Sequence, residues 1–241
     1  MRTTDIEYFV SGTRYLGTLA VDETRQGKRP GVLVAHEGLG LTDLAKSFAR
    51  RLAADGYVAF AMDYHGDGQT LGMEIAMQRI TAHLADPSAI RAIAAAALKV
   101  LTDQPETDAT RLAAIGYCFG GTTVLELARS GADVKATVGF HSGLHTARPQ
   151  DAANIRGKIL VQIGADDPII PPDQRFAFEK EMTDAKVDWR MLLYGGAGHS
   201  FTNPDVASFG REGFAYHKPT DERSWRAMMD LFAETFGFRT V

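Results

Sequence analysis

A single cysteine, Cys118, is all the thiol this chain carries. One cysteine excludes an internal disulfide framework and any multi-cysteine metal site. Positive charge is in deficit: 26 Lys and Arg stand against 30 Asp and Glu, for a net charge of −4. That balance gives no basic patch of the kind nucleic acid needs, so no nucleic-acid partner is expected. No apolar stretch approaches the roughly 20 residues of a membrane span, so no membrane partner is expected either. The opening "MRTTDIEYFV" lacks the apolar core of a signal peptide, and the expected address is cytoplasmic. No low-complexity linker interrupts the chain, so residues 1–241 are expected to form a single domain. What remains, 45% hydrophobic and 23% charged residues, is the composition of an ordinary soluble globular protein.

The segments that are present alternate. Residues 5–10 and 14–21 predict two strands joined at "SGT", a hairpin at a sheet edge. "GVLVAH" (31–36) is a nearly continuous apolar run of the kind a buried parallel strand requires. A helical pattern follows at Leu44, Phe48 and Leu52, with a stop at Gly56. Residues 57–63 predict a further strand, "YHGDGQTLG" a loop, and 72–84 and 87–103 two helices, the second capped by Asp86 with Pro87 in its first turn. The later half predicts strands at 112–117, 134–140, 158–164 and 188–194, with helices from Thr122, over 172–185 and over 221–236. Strands alternating with helices predict an α/β architecture, a mostly parallel central sheet with helices on both faces. In such a sheet ligands bind at the carboxyl ends of the strands. Polar residues that directly follow strands are therefore the candidates for chemistry.

Cys118 is one of them. It sits in "GYCFGG" (116–121), between an apolar strand and the start of a helix. A buried structural thiol is one reading, since cysteine often behaves as a small hydrophobe. The flanking glycines favour another: Gly116-x-Cys118-x-Gly120 fits the G-x-S-x-G nucleophile elbow with sulfur in place of oxygen. Three more residues follow strands: Glu37, Asp167 in "GADDPIIP", and His199 in "YGGAGHSF". A thiol of ordinary pKa is only a few per cent thiolate near neutral pH and needs a base or a positive partner. Histidine supplies this, and a carboxylate fixes its tautomer. The order nucleophile, acid, histidine is that of the α/β-hydrolase fold. Asp63 reads as a structural hydrogen bonder. His141 and Ser142, after the strand at 134–140, read equally as pocket residues or plain loop. His65, His83, His145 and His217 show no metal-ligand spacing, so no metal is expected.

"HEGLG", "GYCFGG", "GADDPIIP" and "GAGHSFTNP", in this order with "ARRLAADGYVAFAMDYHGDG" between the first two, make the chain resemble the dienelactone hydrolase family of α/β-hydrolases from about residue 5 to the last helix. The resemblance implies a Cys118–His199–Asp167 triad, with the spacing G-x-x-D from Gly164 favouring Asp167 over Asp166. It implies that Glu37 contacts the cysteine and controls its ionisation. It also implies an oxyanion hole built from the backbone N–H groups of Gly38 and Phe119. The implied activity is hydrolysis of a small-molecule ester or lactone through a thioester acyl-enzyme, with no cofactor. Thioester or peptide hydrolysis is a second enzymatic reading. A non-catalytic protein using Cys118 as a redox sensor or ligand site is the rival from another class.

The chain departs from the family's pattern at one place. Family members that act on dienelactone hold the substrate carboxylate with arginines, one of them four residues after the histidine, and that position here is Asn203. A neutral amide cannot form a charged bidentate clamp. Arg79 aligns loosely with the other arginine. Arg79, Asn203 and His141 are the substrate-binding candidates.

Overall fold

The parallel strands of this chain are apolar along their whole length because both faces of the sheet are covered. In the computed structural model, which describes residues 1–237, the strand at Arg29–Ala35 (β3) is buried at every position. Its side chains alternate between two cores. Val32 and Val34 face a cluster that includes Phe48 and Leu52 of α1 (Asp43–Ala54) and Met228 and Phe232 of α6 (Lys218–Phe236). Leu33 and Ala35 face the opposite cluster, with Ile90, Ala94 and Leu101 of α3 (Ser88–Thr102) and Val124 of α4 (Phe119–Arg129). This two-sided burial removes apolar area from water on both faces at about 25 cal/mol per Å², and it fixes the register, because a slip of one residue would swap the two faces.

The remaining strands are β1 (Arg2–Val10), β2 (Thr13–Val21), β4 (Val58–Met62), β5 (Thr107–Tyr117), β6 (Ala136–Phe140), β7 (Lys158–Gly164) and β8 (Trp189–Tyr194). α2 (Met73–Ala85) and α5 (Pro172–Asp184) complete the helices. The eight strands form one sheet in the order β1-β2-β4-β3-β5-β6-β7-β8. β1 and β2 pair antiparallel, as does β2 with β4, and every pair from β4 onward is parallel. This is the α/β-hydrolase arrangement expected from the sequence, with the hairpin at the edge.

Local chemistry explains three of the element starts. Asp86 accepts the Ser88 N–H at 3.1 Å and so caps α3, while Pro87 takes the N-cap position itself. β5 extends farther back than its apolar core, to Thr107, because Arg29 and Pro30 pair with Thr107 and Asp108 ahead of a register shift. α4 begins at Phe119 rather than Thr122: the turn at Cys118 drives the chain straight into the helix. Among the described residues no helix is long and apolar enough to cross a membrane.

Candidate active site

Four loops converge at the carboxyl ends of β3, β5, β7 and β8. The tightest follows β5. Cys118 has φ 54° and ψ −122°, a strained conformation for a residue with a side chain. The neighbours allow it. A Cβ on Gly116 would lie 2.1 Å from the Gly120 carbonyl oxygen, and one on Gly120 would lie 2.3 Å from that of Ala35. No larger residue fits at either place, so the glycine spacing is a demand of the turn.

His199 follows β8, and its imidazole bridges two loops. Nε2 is 3.1 Å from Cys118 Sγ, and Nδ1 is 2.8 Å from Asp167 Oδ2. The other Asp167 oxygen accepts the Ile169 N–H at 2.9 Å. Asp166, its neighbour, is exposed to solvent while Asp167 is buried. The His199 backbone is pinned by pairing with residues 213–215: its N–H donates to Gly213 and its carbonyl accepts from Ala215. The Phe214 ring packs 4.7 Å from the imidazole, centre to centre. Burial opposes charge on His199, but the sulfur charge of Cys118 and the bond to Asp167 outweigh it, and its pKa is pushed up to about 10.

The N–H groups of Gly38 and Phe119 have no hydrogen-bond acceptor among the described residues, and both residues border the same cavity as Cys118 and His199. The turn carrying Gly38 is held from below. Tyr64 Oη donates to the carbonyls of His36 and Glu37, at 3.1 and 2.8 Å, and His65 Nε2 lies 2.8 Å from the Gly38 carbonyl. The His36 imidazole stacks on the Tyr64 ring at 3.7 Å, and burial lowers its pKa to about 3, which keeps it neutral. Tyr64 and His65 were not legible as site residues, although their place directly after β4 was the available signal.

The other expected residues are placed differently. Glu37 makes no hydrogen bond to Cys118. Its two oxygens accept from Ser200 Oγ at 2.8 Å and Asn203 Nδ2 at 2.6 Å, and desolvation raises its pKa against these two bonds. Asn203 borders the cavity, but that same bond commits its amide to Glu37. Arg79 does not line the cavity; its guanidinium donates to the His65 carbonyl. His141 is fully buried behind the turn, where Nδ1 accepts the Cys118 N–H at 3.2 Å and Nε2 lies 2.8 Å from Thr202 Oγ1. It therefore links the cysteine turn to the histidine loop and does not face the cavity. Asp63 accepts from the backbone N–H groups of Leu16, His65, Gly66 and Gly68, the structural role expected of it.

Comparison with known proteins agrees with this geometry. The model of the dienelactone hydrolase family matches residues 16–236. A solved structure named m3DLH is 48% identical, with a TM-score of 0.95 over 97% of this chain and 98% of its own. A dienelactone hydrolase-like promiscuous phosphotriesterase, P91, from metagenomic libraries, is 44% identical, with a TM-score of 0.93 over the same shares. A Bradyrhizobium protein named "Probable 2-oxo-3-(5-oxofuran-2-ylidene)propanoate lactonase" is 30% identical over 185 residues, 73% of this chain and 74% of its own. A family match running from the second strand to the end of the last helix, on this sheet and with these four loops, establishes that the chain belongs to the dienelactone hydrolase family and is a hydrolase of the α/β-hydrolase fold.

Proposed function

We propose that the chain is a single-domain, cysteine-dependent hydrolase of small carboxylic esters or lactones, working through a thioester on Cys118 without a cofactor. The observation that carries the reading is the imidazole of His199 between Cys118 Sγ at 3.1 Å and Asp167 Oδ2 at 2.8 Å. The imidazolium faces the sulfur and favours the thiolate, while Asp167 accepts from Nδ1 and holds the tautomer and the charge. The thiolate attacks the carbonyl carbon. The oxygen that becomes negative lies against the N–H groups of Gly38 and Phe119, whose hydrogens have no acceptor among the described residues. His199 gives its Nε2 proton to the departing alkoxide, which leaves as the alcohol or, from a lactone, remains tethered as a hydroxyl. A thioester on Cys118 results. Water then loses a proton to His199 and attacks the thioester, and the carboxylic acid departs as the thiolate and imidazolium are restored.

Glu37 is a positioning residue in this scheme. Through Ser200 and Asn203 it ties the turn after β3, which carries Gly38, to the loop that carries His199. Cys118→Ala tests the reading: ester turnover is lost while the fold, judged by circular dichroism and thermal unfolding, is retained. Wild-type turnover in Cys118→Ala would refute it.

A further inference from the structure

The cavity in front of Cys118 and His199 holds about 610 Å³. That lies within the roughly 300–1,000 Å³ typical of small-molecule sites. The reaction scheme uses only the end beside the sulfur. The rest is bounded by one face of α2: Met73, Ala76, Met77, Ile80 and Leu84, at the helical spacing that puts them on one stripe. Ile169, Phe209 and Phe214 are also in the lining. The fixed charges around it are Glu37, Asp43 and Asp205 against Arg211, so carboxylates outnumber cationic side chains other than His199. Met73 and Met77 remain 41% and 45% exposed, and contiguous apolar side chains left open in this way mark a ligand groove. Ile75, on the same helix, is exposed but lies outside the lining.

We propose that this face of α2 is an apolar subsite that receives an uncharged alkyl or aryl group on the acyl or alcohol side of the substrate, so that the enzyme selects neutral, hydrophobic esters. The proposal deepens the hydrolase reading and rests on it for the word ester. The subsite itself is a property of the cavity. An anion entering this chamber would exchange its hydration for apolar walls and neighbouring carboxylates, whereas an alkyl chain removes both its own surface and that of the methionines from water.

Three series of compounds test it. One lengthens the acyl chain of p-nitrophenyl esters from acetyl to hexanoyl. The second lengthens the alcohol of alkyl acetates. The third alkylates Cys118 with N-alkylmaleimides of increasing chain length, each rate normalised to that with a small free thiol. In at least one ester series kcat/KM rises about three- to fourfold per methylene, the equivalent of about 0.8 kcal/mol per buried CH₂, and the alkylation rate rises in parallel. Met77→Glu and Met73→Glu flatten these slopes, while Ile75→Glu, which adds the same charge outside the lining, leaves them in place. Flat series in both ester arms and in the maleimide arm overturn the subsite, as do slopes that Met77→Glu and Met73→Glu leave untouched. Chain-dependent alkylation without ester turnover supports the subsite and refutes the hydrolase reading; turnover with flat slopes does the reverse.

Discussion

The Asn203 amide donates to Glu37 Oε2 at 2.6 Å, so the residue expected to replace the arginine of dienelactone-cleaving family members is tied to an internal carboxylate. Arg79, the other expected cation, is spent on the His65 carbonyl. Arg79 does not border the cavity, and Asn203 has one amide hydrogen left after its bond to Glu37, so neither supplies a charged bidentate clamp there. Hydrogen bonds to charged groups are worth roughly 1.5–3 kcal/mol each, so the missing clamp corresponds to about 10- to 100-fold in discrimination. For a matched pair of esters that differ by one carboxylate, the neutral member is expected to have the equal or higher kcat/KM. Asn203→Arg shifts the ratio toward the anion by less than that range, because the new guanidinium also faces Glu37. A strong native preference for the carboxylated ester would contradict this and move the role to Arg211, which stacks on Phe214 at the cavity wall.

The adjacent acids make a sharp pair. Asp167→Asn removes the charge that faces Nδ1 of His199, and by analogy with other triads turnover falls by about 10⁴-fold. Asp166 is exposed and makes no hydrogen bond or ion pair with His199, so Asp166→Asn leaves turnover within about threefold by the general mildness of surface substitutions. Equal losses in the two variants, measured as kcat on one ester, would reassign the acid.

The charge on His199 depends on its sulfur partner. Burial alone would lower its pKa, and the Cys118 sulfur is the largest of the influences that raise it to about 10. The imidazolium is therefore present through neutral pH and is lost only as pH rises toward 10. In an NMR titration of the ring protons, His199 of the native protein titrates far above the ordinary ~6.5 of histidine. In Cys118→Ala it titrates lower, because burial remains and the sulfur charge does not. The same pKa in both proteins would contradict the pairing.

His141 offers a test of positioning. Its buried ring joins the Cys118 N–H to Thr202 Oγ1, and burial together with the nearby His199 charge lowers its pKa well below the usual value, so it stays neutral. His141→Phe keeps the bulk but loses both bonds. It is expected to lower kcat by about 10- to 100-fold, the cost of a small misplacement of reacting groups, with KM little changed. His141→Gln, which can accept at one end and donate at the other, restores part of kcat. A rise in KM with unchanged kcat would instead place His141 in substrate binding.

The sheet was legible because buried parallel strands are written as apolar runs, and β3, β4, β6 and β7 each coincide with such a run. The start of β5 was not, because "TDATR" is polar and earns its place by pairing with Arg29 and Pro30. The strand-end positions of Cys118, Asp167 and His199 were legible for the same reason as the strands. The partners of Glu37 were not: Ser200 and Asn203 lie more than 160 positions away, and only the folded loops decide which oxygen meets which donor. The direction of the Arg79 guanidinium was not legible either, since a loose alignment does not say that it turns toward the His65 carbonyl. The segment 72–84 predicts only a helix, and that Met73, Ala76, Met77, Ile80 and Leu84 of α2 border a cavity is decided by the folded loops opposite.

The most direct measurement of the central claim is intact-protein and peptide mass spectrometry of the enzyme quenched during turnover of a slow ester. The account predicts one acyl group on the peptide containing Cys118, released by hydroxylamine as a thioester is, and absent from Cys118→Ala. Continued turnover with no adduct on Cys118, or an acyl group carried instead by a neighbour such as Ser142 or Ser200, would contradict it.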